Sequence, residues 1–299
     1  MIPMIVLCGI GLVMASLLAV GRKAFSVEVD PRQERIDEIL PGVNCGGCGF
    51  PGCSGFAAAL VEGKASPTDC APGGADLATE LGKILGVEVE ITEPMVALVA
   101  CAGTDTASPP LAGYIGEMTC AAAHAVPGAG KACTRGCLGL GSCIEACKFD
   151  AIVTTSNGIV IVIPEACIGC GACVDACPRG VIKMVPKKET VHVLCVNPDK
   201  PKMVKAVCTV GCTGCKLCVK QSKRFELDGT LAHVNHTGDE EIPESAALAC
   251  PQGTILDSRK YTVAAWIADP SAREDYDRRS VVWKDEEKKR KAELKKAKA

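Results

Sequence analysis

The chemistry available to this chain starts from a run of thiols. Cys167-x2-Cys170-x2-Cys173-x3-Cys177-Pro178 spaces three sulfurs to cap one inorganic iron–sulfur cube, while the fourth, beside proline, is placed to serve a second cube. A run of this kind requires a partner upstream, and Cys133-x3-Cys137-x5-Cys143-x3-Cys147 supplies one with looser gaps. Cross-ligation then joins Cys147 to Cys167, Cys170 and Cys173, and joins Cys177 to three thiols of the earlier run, most simply Cys133, Cys137 and Cys143. A separate set, Cys45-x2-Cys48-x4-Cys53-x16-Cys70, lies in GVNCGGCGFPGCSGFAAAL. Its glycines let the backbone wrap a bulky cube and turn N–H groups toward anionic sulfur. The following SGFAAALVEG reads as a helix whose N-terminal end favours negative charge. Four thiolates suffice for one [4Fe–4S] centre. Zinc is the competing occupant, because four cysteines also satisfy a tetrahedral ion, but zinc ribbons usually present two CxxC hairpins.

An internal repeat extends the assignment. Cys120, Cys133, Cys137, Cys143 and Cys147 are separated by 12, 3, 5 and 3 residues, and Cys195, Cys208, Cys212, Cys218 and Ser222 repeat those gaps in order. Counting back from Cys250-Pro251, the places of Cys167, Cys170 and Cys173 are held by Glu240, Pro243 and Ala246. One whole centre is therefore missing from the second copy, and Ser222, in the place of Cys147, reads as a solvated hydroxyl. The surviving second-copy centre uses Cys212, Cys215, Cys218 and Cys250. Cys101, Cys120, Cys195 and Cys208 are left over. They either build a further cluster, or supply Cys120 and Cys195 in place of one assigned thiol in each copy, or remain buried free thiols. The four histidines have no Rieske context, and no nucleophile elbow, dinucleotide loop or Walker motif is present.

The elements that must carry these thiols are unusual in composition. Of 299 residues, 31 are Gly and 21 are Cys, while aromatic residues make up 3%, so large rings supply little of the interior and metal centres must crosslink it. Thiols so closely spaced suit a reducing compartment. A net charge of -2 sets aside nucleic acid as a partner. Residues Met1 to Gly21 contain no charged side chain and are long enough to span a bilayer, with Arg22 and Lys23 directly after. That order favours a transmembrane helix with the remainder cytoplasmic over a cleaved signal peptide, and Cys8 within it is a small apolar residue. The organisation expected is α+β: a transmembrane anchor (1–24), a four-cysteine [4Fe–4S] module (25–74), an α/β connector (75–118), a two-cluster ferredoxin-like module (119–190), a degenerate ferredoxin-like module (191–260) and a charged C-terminal tail (261–299). In the connector DLATELGKILG reads as a helix, and VEVEI and MVALVAC as strands.

With LPGVNCGGCGFPGCSGFA and Cys70, KACTRGCLGLGSCIEACKFDAI and ACIGCGACVDACPRGVI in one chain, the sequence resembles the B subunits of Rnf complexes, which are ion-translocating ferredoxin:NAD oxidoreductases. The resemblance implies an electron-transfer subunit with at least four [4Fe–4S] clusters and no bond-making site of its own. It implies as partners the other subunits of a membrane complex, reduced ferredoxin and the lipid bilayer, and places the chain in the inner or plasma membrane. Two rivals stand beside it. One is a cysteine-rich zinc-binding scaffold; the other is a corrinoid-methyltransfer subunit, disfavoured because no large barrel domain follows the first module.

Overall fold

The computed structural model describes residues 30–90, 93–238 and 240–297, together with scattered positions between 9 and 20. Most of the expected anchor therefore lies outside the described residues. Those that are described there, such as Leu12, Leu17 and Leu18, are helical and exposed. No helix among the described residues is long and apolar enough to cross a membrane.

The chain divides into two compact units, 1–91 and 92–299. In the first, α1 (Pro31–Ile39) begins where the Asp30 side chain accepts the Arg32 N–H and Pro31 fixes the first turn. It packs with α2 (Cys53–Val61) and α3 (Gly74–Leu85) around Ile36, Phe56, Leu60 and Leu81. The α3 helix stops at Gly86 in the left-handed region (φ 71°), a C-terminal signal visible in DLATELGKILG. The VEVEI stretch departs from the strand expected: residues 87–90 are irregular, and alternating Glu88 and Glu90 meet no partner strand among the described residues.

The second unit contains two versions of one arrangement. In the first, β1 (Met95–Val99) pairs antiparallel with β4 (Ile182–Pro186), Val99 opposite Ile182. Between them in sequence lie α4 (Cys120–Ala125), α5 (Ser142–Glu145), the hairpin of β2 (Ile152–Thr154) and β3 (Val160–Val162), and α6 (Ala172–Asp175). The MVALVAC strand thus belongs to the first copy, not to a separate connector. In the second copy β5 (Val191–Val193) pairs with β8 (Ile255–Asp257), Val193 opposite Ile255. They enclose α7 (Pro201–Val207), the hairpin of β6 (Phe225–Asp228) and β7 (Leu231–Val234), and α8 (Glu244–Leu248). Ile182 and Ile255 each follow their Cys-Pro cysteine by five residues, so the two frames superpose on the motif itself.

Beyond β8, α9 (Val263–Ala268) and α10 (Pro270–Ala297) close on this unit. Trp266, Ile267 and Tyr276 enter the main core beside Leu256. The Tyr276 hydroxyl donates to Ala247 O and Cys250 O, both at 2.8 Å, and its ring meets Trp266 edge-on at 4.9 Å. The segment 263–280 is thus packed structure, and only the Lys-rich end of α10 is the exposed helix that its charge pattern suggests.

Candidate metal centres

In the first unit, Cys45, Cys48 and Cys53 lie near enough to Cys70 for their sulfurs to act on its thiol. The loop is held by Asn44, whose Oδ1 accepts the Cys53 N–H at 2.7 Å and so caps α2 from outside the helix. Gly52 allows this contact: its φ is 85°, and a Cβ there would stand 2.8 Å from Asn44 Oδ1. Burial pushes the Cys70 thiol up, and the Cys48, Cys53 and Cys45 sulfurs add to the shift, while a Gly73 N–H works against it.

Three further sets of four thiols line cavities of the second unit. Cys147, Cys167, Cys170 and Cys173 line one, as the cross-ligation rule anticipates. There the Ala97 N–H donates to Cys167 Sγ at 3.4 Å, and burial pushes Cys173 up to about 11, reinforced by Cys167, Cys170 and Cys147. Cys212, Cys215, Cys218 and Cys250 line another, with the Thr254 N–H on Cys250 Sγ at 3.3 Å. Burial, then Cys250, Cys212 and Cys215, push Cys218 up to about 12.

The third differs from the simplest sequence assignment. Its thiols are Cys137, Cys143, Cys177 and Cys120, and Cys133 lines a different cavity. Burial, then Cys137, Cys120 and Cys177, push Cys143 up to about 12, and the Val181 N–H donates to Cys177 Sγ at 3.4 Å. The reason is local. Where the second copy has Cys215, three residues after Cys212, the first has Leu140, three after Cys137. The long segment between Cys101 and Cys133 brings in Cys120 instead, capped by Thr119 and tied through its N–H to Ser142 Oγ at 2.9 Å. Leu140 standing in the Cys215 place is the signal that could have shown this.

Of the positions that replace ligands of the missing second-copy centre, Glu240 and Pro243 are exposed while Ala246 is packed into an apolar cluster. Ala246 is 0% exposed and lies in a cluster with Phe225, Ile242 and Ile255. Ser222 corrects the expectation of a solvated hydroxyl: it is 6% exposed, and its Oγ accepts the Arg224 N–H at 3.2 Å. Arg224 in turn pairs with buried Glu189, which also meets His236 Nδ1 at 3.2 Å.

The remaining thiols, Cys101, Cys195 and Cys208, line one cavity together with Cys133. Burial pushes Cys101 up to about 12 and Cys195 up to about 11. Among the described residues no three His, Cys, Asp or Glu side chains are drawn onto a single metal-ion position; the thiols stand around cavity walls. A buried thiol with a raised pKa, such as Cys101, Cys143, Cys173, Cys195 or Cys218, resists ionising alone, so these walls suit a positively charged inorganic core that stabilises the thiolate form. The sulfurs meet backbone N–H donors as cluster-bound thiolates do.

Two cations are fixed beside these walls. Arg179 Nη1 donates to Gly136 O at 2.8 Å and Cys133 O at 3.3 Å. In the second copy its place is taken by Gln252, and Arg273 of α10 donates to Gln252 O and Gly253 O instead.

Comparison with known proteins points to iron–sulfur binding in two segments. A family described by its Fe–S cluster matches residues 40–72, and a 4Fe-4S binding domain matches residues 160–183. The chain is 42% identical to the B subunit of the ion-translocating oxidoreductase complex of Methanosarcina acetivorans, over 84% of this chain and 95% of that one. It is 43% identical to the B subunit of the Na+-translocating ferredoxin:NAD+ oxidoreductase complex of Acetobacterium woodii, over 71% of this chain and 64% of that protein. Identity is 38% to the B subunit of the proton-translocating counterpart in Clostridium ljungdahlii, over 84% and 90% respectively.

Proposed function

The chain belongs to the family of B subunits of ion-translocating ferredoxin:NAD+ oxidoreductase complexes, and from that membership we propose how its thiols carry out electron transfer. It is an iron–sulfur electron-transfer subunit of an oxidoreductase complex, and it works with [4Fe–4S] clusters. The ligand sets are Cys45, Cys48, Cys53 and Cys70; Cys147, Cys167, Cys170 and Cys173; Cys120, Cys137, Cys143 and Cys177; and Cys212, Cys215, Cys218 and Cys250. The observation that carries this reading is the grouping of thiols in fours around three separate cavities of the second unit, each with its own N–H donor, beside a first-unit set whose sulfurs act on one another.

The bound clusters supply one-electron redox chemistry at constant ligation. The protein supplies everything else. Thiolates fix each position, N–H donors such as those of Ala97, Val181 and Thr254 stabilise the added negative charge, and apolar walls keep water away. Arg179 and Arg273 sit beside particular sites and favour their reduced states. Electrons enter from reduced ferredoxin at the second unit and leave through the Cys45 module, which follows the apolar N-terminal segment in sequence. That segment anchors the chain to the bilayer as a single span, with the iron–sulfur units cytoplasmic. Other subunits of the complex bind this chain and take its electrons onward.

Full-length protein purified without oxygen tests the reading. Brown material absorbing broadly at about 400 nm and bleached by reduced ferredoxin is expected. Colourless, zinc-containing material would refute it. In the Cys53→Ala variant the second unit should still be reduced by ferredoxin while onward transfer stops; failure of the second unit to be reduced would reverse the proposed direction.

A further inference from the structure

The two copies meet at a set of thiols that neither completes alone. Cys101 and Cys195 are equivalent: each stands two residues beyond the strand that pairs after the Cys-Pro motif, Val99 in β1 and Val193 in β5. Each sulfur accepts the N–H of the residue two further on, Gly103 at 3.4 Å and Asn197 at 3.5 Å. Cys133 and Cys208 are likewise equivalent, each four residues before its own copy's next ligand, Cys137 or Cys212. The gap pattern had matched Cys195 with Cys120, but the strands match it with Cys101.

These two pairs face one cavity. A Cβ built on Gly103 would stand 3.4 Å from Cys101 Sγ and 3.7 Å from Cys208 Sγ, and one on Gly136 would stand 3.4 Å from Cys101 Sγ and 3.6 Å from Cys133 Sγ. Sulfurs of both copies thus converge where the backbone carries no side chain. Further donors point at them: Cys137 N–H on Cys101 Sγ at 3.5 Å, Asn197 Nδ2 on Cys133 Sγ at 3.6 Å, and the Cys212 N–H on Cys195. Lys131, 5% exposed, lines the same cavity and donates to Gly103 O at 2.9 Å and Gly158 O at 2.5 Å.

We propose that this cavity holds a fifth [4Fe–4S] cluster, ligated by Cys101 and Cys133 of the first copy and by Cys195 and Cys208 of the second, on a local pseudo-two-fold axis. The proposal rests on the reading of the other thiols as cluster ligands. Convergent N–H donors suit thiolates holding a core, and Lys131, which also pairs with Asp105 Oδ1 at 3.3 Å, adds a fixed cation to the same wall. The site also touches a ligand peptide of each neighbour, Cys137 on one side and Cys212 on the other, so it stands between the Cys177 and Cys250 centres. All 20 described cysteines then belong to sets of four.

The test is iron and acid-labile sulfide per chain in the full-length protein, reconstituted without oxygen with ferrous iron and sulfide. The wild type should saturate at about 20 of each, and Cys195→Ser or Cys208→Ser should lose about four of each while the remaining paramagnetic signals persist. Asn197→Leu, which keeps all four thiols, should retain the iron and alter one reduced-state paramagnetic signal. Saturation of the wild type at about 16, with both serine variants unchanged, would overturn the fifth site alone. Should those variants fail to fold, the wild-type count still decides. A wild type that takes up no iron would overturn the parent reading as well.

Discussion

At the level of single residues, the sites are tuned by a few groups whose removal has a defined sign. Arg179 places its guanidinium on carbonyls of Cys133 and Gly136, beside sulfurs of two centres. In Arg179→Gln, the residue the second copy carries at this point, the nearby potentials should fall by tens of millivolts, on the order of a tenfold change in a one-electron equilibrium per 59 mV. Potentiometric titration of the reduced-state signals reads this directly, and unchanged potentials would remove Arg179 from the tuning. His192 is a second case. Burial holds it down to about 4, against smaller opposing effects of Glu189 and Asp257, and its Nδ1 meets no hydrogen-bond partner among the described residues. The unfolded chain therefore takes up a proton that the folded chain refuses. Its contribution is complete above about 6.5 and is lost as pH falls toward 4, about 3 kcal/mol in all. In His192→Leu the thermal midpoint should fall less between pH 7 and pH 5 than in the wild type; equal slopes would contradict the assignment. Residue identity was legible wherever ligands are contiguous, as in the Cys167–Cys177 run. It was only partly legible where Cys120 and Cys133 exchange roles: the spacing left Cys120 open as an alternative, Leu140 in the Cys215 place hints at it, and the fold decides which sulfur reaches which cavity.

At the level of elements, short strands and glycine-bearing loops do the positioning. Gly52→Ala strains a backbone at φ 85° and drives a Cβ into Asn44 Oδ1, the acceptor that anchors Cys53. The expected outcome is loss of about four iron atoms per chain from the first unit with the second unit intact, read by iron analysis. The α9–α10 pair illustrates what hydropathy patterning understated. Among the described residues the segment buries the apolar side chains of Trp266, Ile267, Ala272 and Tyr276, with Ser280 beside them, too few for a pattern that competes with its charge, yet they cover the backbone around Cys250. Tyr276→Ala should cost about 3 kcal/mol or more, as deletion of a buried aromatic ring usually does, and lower the midpoint of thermal unfolding accordingly. The VEVEI stretch shows the opposite error: alternation suggested a strand, but a strand also needs an edge to pair with.

For the molecule as a whole, the repeat explains both what was retained and what was lost. All four positions answering the ligands of one first-copy centre lack cysteine in the second copy, where Ala246 packs with Phe225 and Ile242 and Ser222 is buried. Deletion of a complete centre leaves no orphan thiol beside it, and this could be read from gap counting alone. The duplicated strand frame could not, since Cys101 and Cys195 sit in segments with different following spacing and become equivalent only through their sheet partners. With so few aromatic residues, the chain depends on its clusters to hold the thiol-lined walls together. The most direct test of that dependence is the Mössbauer spectrum of the full-length chain loaded with 57Fe under anaerobic conditions. It should contain the doublets of valence-delocalised iron pairs, with every iron in tetrahedral sulfur coordination. Isolated mononuclear iron, or a chain that excludes iron and keeps zinc, would contradict it.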